Sequence, residues 1–495
     1  MQKLLFLIKK DRLLIIIIVL LGSVLRFSGL GTQSIWLDEA VSINFASKPI
    51  SQVITAEVNY PPLYYLCLHF WIDLFGKSEV SIRLLSAILG ILSIFLIYRI
   101  SILLFNPTIG LLSAFILSVS PFHIYYSQEA RMYSLITFLT MCSIYTFLLA
   151  IHKKKFTFWL IYIISTMLVI YTHYFGFLII LAQGLFLLFN WKLERNNFYR
   201  WIISQAVLFI LFIPWFRILL YAIPEGGRPW LTDFNPVVRV GYVFFTFSIG
   251  YSAIIMNAIQ KLHFSRTLLS NLEVFLPSIL IFISLIFIGL KNSFKNKRSS
   301  LFLILYLIVP IGLAVIISLK LPLLSERYLI ISLPPYYIFL ALGLGYIRKG
   351  TMRRFQFILF GGYLVLVGFS LFNYYSNPNF GKEQWREVSK YIEKNIHQKD
   401  IICFHKPYIS IPFNYYFKGR NKEYKLPEGT ISDKEDFTVK LRNDLTKYEK
   451  IWLIISHNYD TKNYYHDFFN KIFTKISEKM FPKNNGIEVY LFQID

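Results

Sequence analysis

The sequence predicts a polytopic α-helical membrane protein of about eleven spans, followed by a small C-terminal α/β domain. Three observations carry that class. Of the 495 residues, 55% are hydrophobic and only 16% charged, where a soluble domain carries roughly a quarter charged. The apolar residues gather into long runs such as 13–25, 84–98, 275–290 and 301–319, and runs of roughly 18 or more mostly apolar residues suit a bilayer. Basic clusters punctuate these runs, at Lys153-Lys154-Lys155, at Lys192, Arg195 and Arg200, at Lys291, Lys295, Lys297 and Arg298, and at Arg348, Lys349, Arg353 and Arg354. Short loops of this kind mark the cytoplasmic side. The net charge of +23 is therefore spread between spans rather than gathered on one soluble face, which excludes a nucleic-acid partner.

Span one is the run 13–25, with a basic front at Lys9, Lys10 and Arg12. No small-residue cleavage site follows, so it reads as a retained span rather than a signal peptide. It carries the chain outward, placing residues 31–60 outside. The stretch 61–75 is short, opens with Pro61-Pro62 and contains His69 and Asp73. Counting it as a crossing would put four basic loops outside, so it reads as an interfacial or re-entrant helix. Spans follow near 83–104, 109–126, 132–151, 156–171, 175–189, 201–221, 272–290, 301–319, 328–347 and 355–372. The apolar stretch 240–259 stays external or half-inserted by the same parity. An odd number of crossings puts the C-terminal region outside.

From about residue 377 the spans disappear and charges return. Trp385-Arg386-Glu387-Val388-Ser389-Lys390-Tyr391-Ile392 has apolar residues at helical spacing. Short β-forming runs occur at 401–404, 451–455 and 489–492. Between them lie helical patterns such as 468–480, giving an α/β domain over 377–495 after a membrane domain over 1–376. Cys67, Cys142 and Cys403 are far apart and have neither metal nor disulfide spacing. They read as packing residues.

Several polar motifs fall on the external ends of spans. They are Trp36-Leu37-Asp38-Glu39, Asn59-Tyr60-Pro61-Pro62, Ser127-Gln128-Glu129-Ala130-Arg131-Met132-Tyr133, His173-Tyr174, Glu225-Gly226-Gly227-Arg228 and Ser325-Glu326-Arg327-Tyr328. Asp38 and Glu39 suit two roles: general base toward an attacking hydroxyl, or caps of a helix beginning at Ala40. Adjacent helical residues point about 100° apart, so one of the pair enters a site. Arg131 and Arg327 suit phosphate oxygens, which arginine grips bidentately, or else snorkel or pair with Glu129 and Glu326. Tyr133, Tyr328 and Trp230 suit either an interfacial aromatic belt or substrate contact. His173 stands in a tight external turn, and Pro61-Pro62 restricts Tyr60 to extended backbone.

These motifs, in order, resemble the family-39-type glycosyltransferases, the group holding protein O-mannosyltransferases and the aminoarabinose transferases of lipid A. The resemblance runs through Arg26, Trp36-x-Asp38-Glu39-Ala40, Tyr60-Pro61-Pro62-Leu63-Tyr64-Tyr65, Arg83-Leu84-Leu85-Ser86-Ala87, Ser120-Pro121 and Tyr126 to Leu135. It is dense over residues 26–151 and looser through His173-Tyr174, Glu326-Arg327-Tyr328 and Trp385-Arg386-Glu387-Val388. It implies a GT-C fold with a large first external loop over 31–82 and an inverting transfer from a polyprenyl-phosphate sugar. The first-loop acid, here Asp38, is implied as the catalytic residue, and Glu129 and Arg131 as substrate contacts. Tyr60 stands where the aminoarabinose transferases place a lysine, which argues against lipid A as acceptor. It also replaces the histidine that commonly precedes the paired prolines.

The expected function is sugar transfer from a polyprenyl-phosphate carrier to a protein, lipid or glycan hydroxyl at the outer face of the cell membrane. The N-terminus is then cytoplasmic and the C-terminal domain extracytoplasmic. Asp38 or Glu39 acts as base, with Tyr60, Pro61, Glu129, Arg131, Tyr133, His173, Arg327 and Tyr328 around substrate. No ligand set demands a metal or other cofactor. The rival is a flippase or transporter of lipid-linked sugars, disfavoured because the spans hold almost no acids and coupled transporters keep ionisable groups near the midplane.

Overall fold

In a computed structural model of the chain, residues 2–55, 60–222, 235–254, 269–321, 323–345, 351–427, 434–457, 464–482 and 486–494 are described. Asn59, the Glu225-Gly226-Gly227-Arg228 motif, Trp230, Arg348, Lys349 and the end of the 240–259 stretch lie outside the described residues. The chain gathers into two compact units, one of Met1–Leu30, Phe45–Ile254 and Leu262–Tyr375, the other of Gly31–Asn44, Ile255–Lys261 and Ser376–Asp495.

The first unit is an integral-membrane helical assembly. Among its described residues seven helices are long and apolar enough to cross a bilayer: Glu79–Leu104, Tyr133–Lys153, Trp191–Ile218, Leu272–Ser293, Lys297–Ser318, Tyr328–Gly345 and Arg353–Ser376. The pair Pro107–Ser118 and Pro121–Ser127, bent by 61°, makes an eighth if taken as one broken span. Helix α1 (Gln2–Phe27) holds the first apolar run. Phe156–Ile170 and Gly176–Phe189 have 15 and 14 residues, so at about 1.5 Å per residue each reaches less than the bilayer core. Leu63–Phe75 and Pro236–Ile249 are shorter apolar helices of the same order. Leu92, Phe95, Ile164, Phe209, Ile283 and Val365 are exposed on the helix surfaces, an apolar exterior that suits lipid.

The break after Ser118 has a local cause. Pro121 opens the next helix at its first turn, and the Ser120 hydroxyl accepts from the His123 N–H at 3.1 Å. Arg26, fully buried, fills the gap: its guanidinium donates to the Leu117 and Ser118 carbonyls, each at 2.9 Å. It also lies 2.8 Å from His123 Nδ1. A cation on the carbonyl end of a helix meets the negative end of its dipole. Elsewhere two helices touch backbone to backbone. A Cβ added at Gly289 would lie 2.0 Å from the Phe339 carbonyl oxygen, and one at Gly343 would lie 2.3 Å from that of Leu285. Small residues permit this approach between membrane helices.

The second unit is an α/β sandwich on a five-stranded mixed sheet. The strands are β1 (Ile401–His405), β2 (Lys422–Lys425), β3 (Lys450–Ser456), β4 (Thr474–Phe481) and β5 (Ile487–Gln493), in the order β2-β1-β3-β5-β4. β1 runs parallel to β2 and β3, while β5 is antiparallel to β3 and β4. Alternate residues face opposite layers, as the strand period demands. Ile401, Cys403, Ile451 and Leu453 pack with Leu441, Leu445 and Phe469. Ile402, Phe404, Trp452 and Ile454 pack with Trp385, Val388 and Phe413.

Two expectations are corrected here. Residues 468–480 are not one helix: Tyr464–Ile472 is helical and Thr474–Phe481 is an edge strand. Lys475, Glu478 and Lys479 favour helix intrinsically, but the ladder offered by β5 overrides them, and their charges suit an exposed sheet edge. The acid helix begins at Leu37 rather than Ala40, so Asp38 and Glu39 sit in its first turn. There their charges complement the helix dipole.

Candidate active site

In the membrane unit the turn after the broken span brings Glu129 and Arg131 into the interior, 1% and 5% exposed. The Arg131 N–H donates to the Glu129 carbonyl at 2.8 Å. Gln128 anchors this turn to the end of α1, donating to the Leu25, Arg26 and Ser28 carbonyls at 3.1, 3.0 and 2.6 Å. Its side-chain oxygen accepts from Tyr374 at 2.7 Å. The turn is thus fixed from one end of its amide to the other.

Around Arg131 the structure gathers residues from three distant stretches. Its guanidinium lies 5.5 Å from the Tyr60 ring centroid. The Tyr60 and Tyr328 hydroxyls are 2.8 Å apart. The His173 ring lies 5.7 Å from that of Tyr60 and 5.0 Å from that of Tyr328. Arg327 sits 5.7 Å from the Tyr328 ring. The Phe175 N–H donates to His173 Nδ1 at 3.1 Å, so the ring carries its proton on Nε2. Pro61 is buried, and the Leu63 N–H just beyond it donates to the Tyr171 carbonyl at 3.0 Å. That bond ties Tyr60 to the turn holding His173.

The belt reading of Tyr133 and Tyr328 does not hold, because they are 1% and 6% exposed. Tyr133 instead packs 4.7 Å from the ring of Tyr126. Arg131, equally buried, does not snorkel to headgroups. The sequence reading missed Tyr251. Its hydroxyl lies 2.7 Å from that of Tyr126 and donates to Glu326 at 2.9 Å. Gly250 before it has φ 72°, and a Cβ there would meet Pro121 at 2.8 Å. That glycine was the available signal.

Asp38 and Glu39 belong to the second unit. Glu39 is fully buried and pairs with Lys382 at 3.1 Å. Asp38 is half-buried. Glu383, also fully buried, meets His457 Nε2 at 3.0 Å through one oxygen and accepts from the Trp385 indole at 2.7 Å through the other. Burial opposes a charge on His457, but the charge and hydrogen bond of Glu383, with the charge of Asp38, outweigh it. Lys406 pushes the other way, and the net result is a raised imidazole pKa. Lys382, Glu383 and His457 were not legible as partners of the acid pair from sequence spacing.

The profile of the family described as dolichyl-phosphate-mannose-protein mannosyltransferase matches residues 59–218, which contain Tyr60, Glu129, Arg131 and His173. No curated protein sequence matches the chain. Among solved structures, apo ArnT from Cupriavidus metallidurans superposes with TM-score 0.59 at 12% identity, covering 96% of this chain and 97% of that one. The same protein bound to undecaprenyl phosphate gives 0.58 at 13% identity over the same shares. The oligosaccharyltransferase of Archaeoglobus fulgidus, in its apo form, gives 0.58 at 12% identity, covering 94% of this chain and 73% of that one. The fold is GT-C-like. Its polytopic helical part and its small C-terminal α/β part are those expected from the sequence.

Proposed function

We propose that this protein is a membrane glycosyltransferase that moves a sugar from a polyprenyl-phosphate carrier to an acceptor hydroxyl. One observation carries the reading: two arginines, Arg131 and Arg327, are set against a cluster of half-buried Tyr60 with buried Tyr328 and His173 on a GT-C-like fold. A guanidinium held in aromatic surroundings keeps its charge and is suited to phosphate oxygens. Support comes from the fold's neighbours, one with undecaprenyl phosphate and another, AglB from Archaeoglobus fulgidus, with a dolichol-phosphate and an inhibitory peptide.

The reaction is a single displacement with inversion. The acceptor oxygen bonds to the anomeric carbon as the bond to the carrier phosphate breaks, and the transition state resembles an oxocarbenium ion. The acceptor's proton goes to Asp38 as general base. Charge builds on the departing polyprenyl phosphate, where Arg131 and Arg327 stabilise it. Glu129 orients Arg131 or the sugar, and Pro61 holds Tyr60 in place. Tyr133 and His173 line the sugar's surroundings. Glu39, paired with Lys382, leaves Asp38 as the acid that reaches substrate. The outer membrane face, with a cytoplasmic N-terminus and an extracytoplasmic second unit, follows from the basic loops.

The test uses membranes holding the full chain and the polyprenyl-phosphate sugar fraction extracted from the producing cells. Wild type releases free polyprenyl phosphate, and Asp38→Asn reduces release by at least about a hundredfold, as loss of a general base does. A folded Asp38→Asn protein working at the wild-type rate removes the mechanism. A flippase would release no free carrier phosphate.

A further inference from the structure

The stretch carrying Asp38 is held by a part of the chain some 350 residues later, within the same unit. Arg386 donates to the Gly31 carbonyl at 3.0 Å. The Lys382 N–H donates to the Gln33 side chain at 3.2 Å. Ser34 donates to Glu387 at 3.0 Å. The Ile35 N–H donates to the Tyr416 hydroxyl at 2.7 Å. Lys382 then lies 5.8 Å from the Trp36 ring and closes the ion pair with Glu39. Five of the residues before Asp38, namely Gly31, Gln33, Ser34, Ile35 and Trp36, are thus held by Lys382, Arg386, Glu387 and Tyr416. Arg386 and Glu387 of the Trp385-Arg386-Glu387-Val388 motif hold the stretch before Asp38, while Trp385 and Val388 pack in the core of the unit.

We infer that residues 382–387 and His457 are positioning residues for Asp38, holding its helix in place and keeping its carboxylate charged. The inference rests on the reading of Asp38 as the general base. The clamp leaves the first turn of the acid helix few alternative orientations, which is the preorganisation that a catalytic group needs. Charge supplies the rest. The groups facing His457 are Glu383, Asp38 and Lys406, with the Tyr408 ring 6.0 Å away and the Ser456 hydroxyl 3.3 Å from Nδ1. Those around Asp38 include Glu39 beside it, Lys382 paired to Glu39, and His457. With three carboxylates (Asp38, Glu39, Glu383) and two lysines (Lys382, Lys406), a neutral imidazole leaves the cluster with one excess negative charge. A protonated His457 reduces that excess, and a nearby cation favours the carboxylate form of Asp38. Glu383 acts through His457, by holding the imidazolium.

The pH dependence of kcat/KM for the extracted polyprenyl-phosphate sugar fraction tests this with the full chain. His457→Gln moves the acid limb upward by about one pH unit, which lowers kcat/KM roughly tenfold at the acid end. Its plateau well above the raised His457 pKa, where the wild-type imidazole is neutral, stays within about twofold of wild type, and the donor KM is unchanged. His457→Asn, a smaller neutral replacement, shifts the limb the same way and serves if His457→Gln does not fold, whereas Glu383→Gln removes a carboxylate together with the imidazolium and moves the limb less. The double variant shifts no further than the larger single, because both act through one imidazolium. An unmoved limb in either folded His457 variant overturns the inference, as does a Glu383→Gln shift larger than that of His457→Gln. Loss of rate by the same factor at every pH also overturns the charge role. Asp38→Asn at full rate marks a different failure, that of the underlying reading.

Discussion

Lys382→Met is the sharpest test of the second unit's architecture. Lys382 is 5% exposed and Glu39 fully buried, with 3.1 Å between ammonium and carboxylate. The substitution keeps most of the side-chain volume but leaves a carboxylate without its cation in a dry surround. Breaking such a pair costs about 3–5 kcal/mol, far more than the pair contributes over a neutral replacement. For a unit of this size 1 kcal/mol moves the melting temperature by about 3 °C, so the expected drop is about 10–15 °C. Cys403, buried in the centre of β1, reports the opening. In a Cys67→Ser, Cys142→Ser background, reaction of its thiol with a maleimide dye on heating follows this unit within the full chain. Adding Glu39→Gln to Lys382→Met removes the orphaned charge and restores most of the loss. The reasoning fails if Lys382→Met melts within about 1 kcal/mol of wild type, or if the double variant is no better than the single.

Other expectations follow from particular contacts. Arg131→Lys keeps the charge but loses the planar fork, and polyprenyl phosphate release should fall by about 10- to 100-fold with a smaller change in donor KM. Tyr60→Phe and Tyr328→Phe each cut one hydroxyl of a single 2.8 Å contact. Their effects on melting should therefore be less than additive in a double-mutant cycle. Gly289→Ala drives a methyl into the Phe339 carbonyl and should lower thermal stability in detergent by about 1–3 kcal/mol, whereas Gly361→Ala, with open space around it, should change little. The raised pKa of His457 sets a sign for pH. Its stabilising contribution is complete below the unfolded value, about pH 6.5, and is lost as pH rises through the higher folded value. The melting difference between wild type and His457→Gln should accordingly shrink from about pH 6.5 upward.

What the sequence determined by itself was everything that depends on local pattern. Apolar runs with basic punctuation specify a helical membrane unit, because each span must satisfy its own backbone within one apolar segment. Unbroken apolar runs at 401–404 and 451–455 specify strands buried on both faces, since strand residues point to opposite layers in turn. The ordered motifs from Trp36 to Tyr328 nominated Tyr60, Arg131, His173 and Tyr328, and the fold brings these into one cluster. Only the tertiary structure decided what depends on partners distant in the chain. Thr474–Phe481 became a strand because β5 presents an open ladder there, a fact absent from the segment's own composition. Arg26 proved to be the plug of a broken helix, and Glu39 the partner of Lys382. A buried charge is tolerable only where an opposite charge or a row of carbonyls meets it, and that complement is fixed by packing, not by spacing along the sequence.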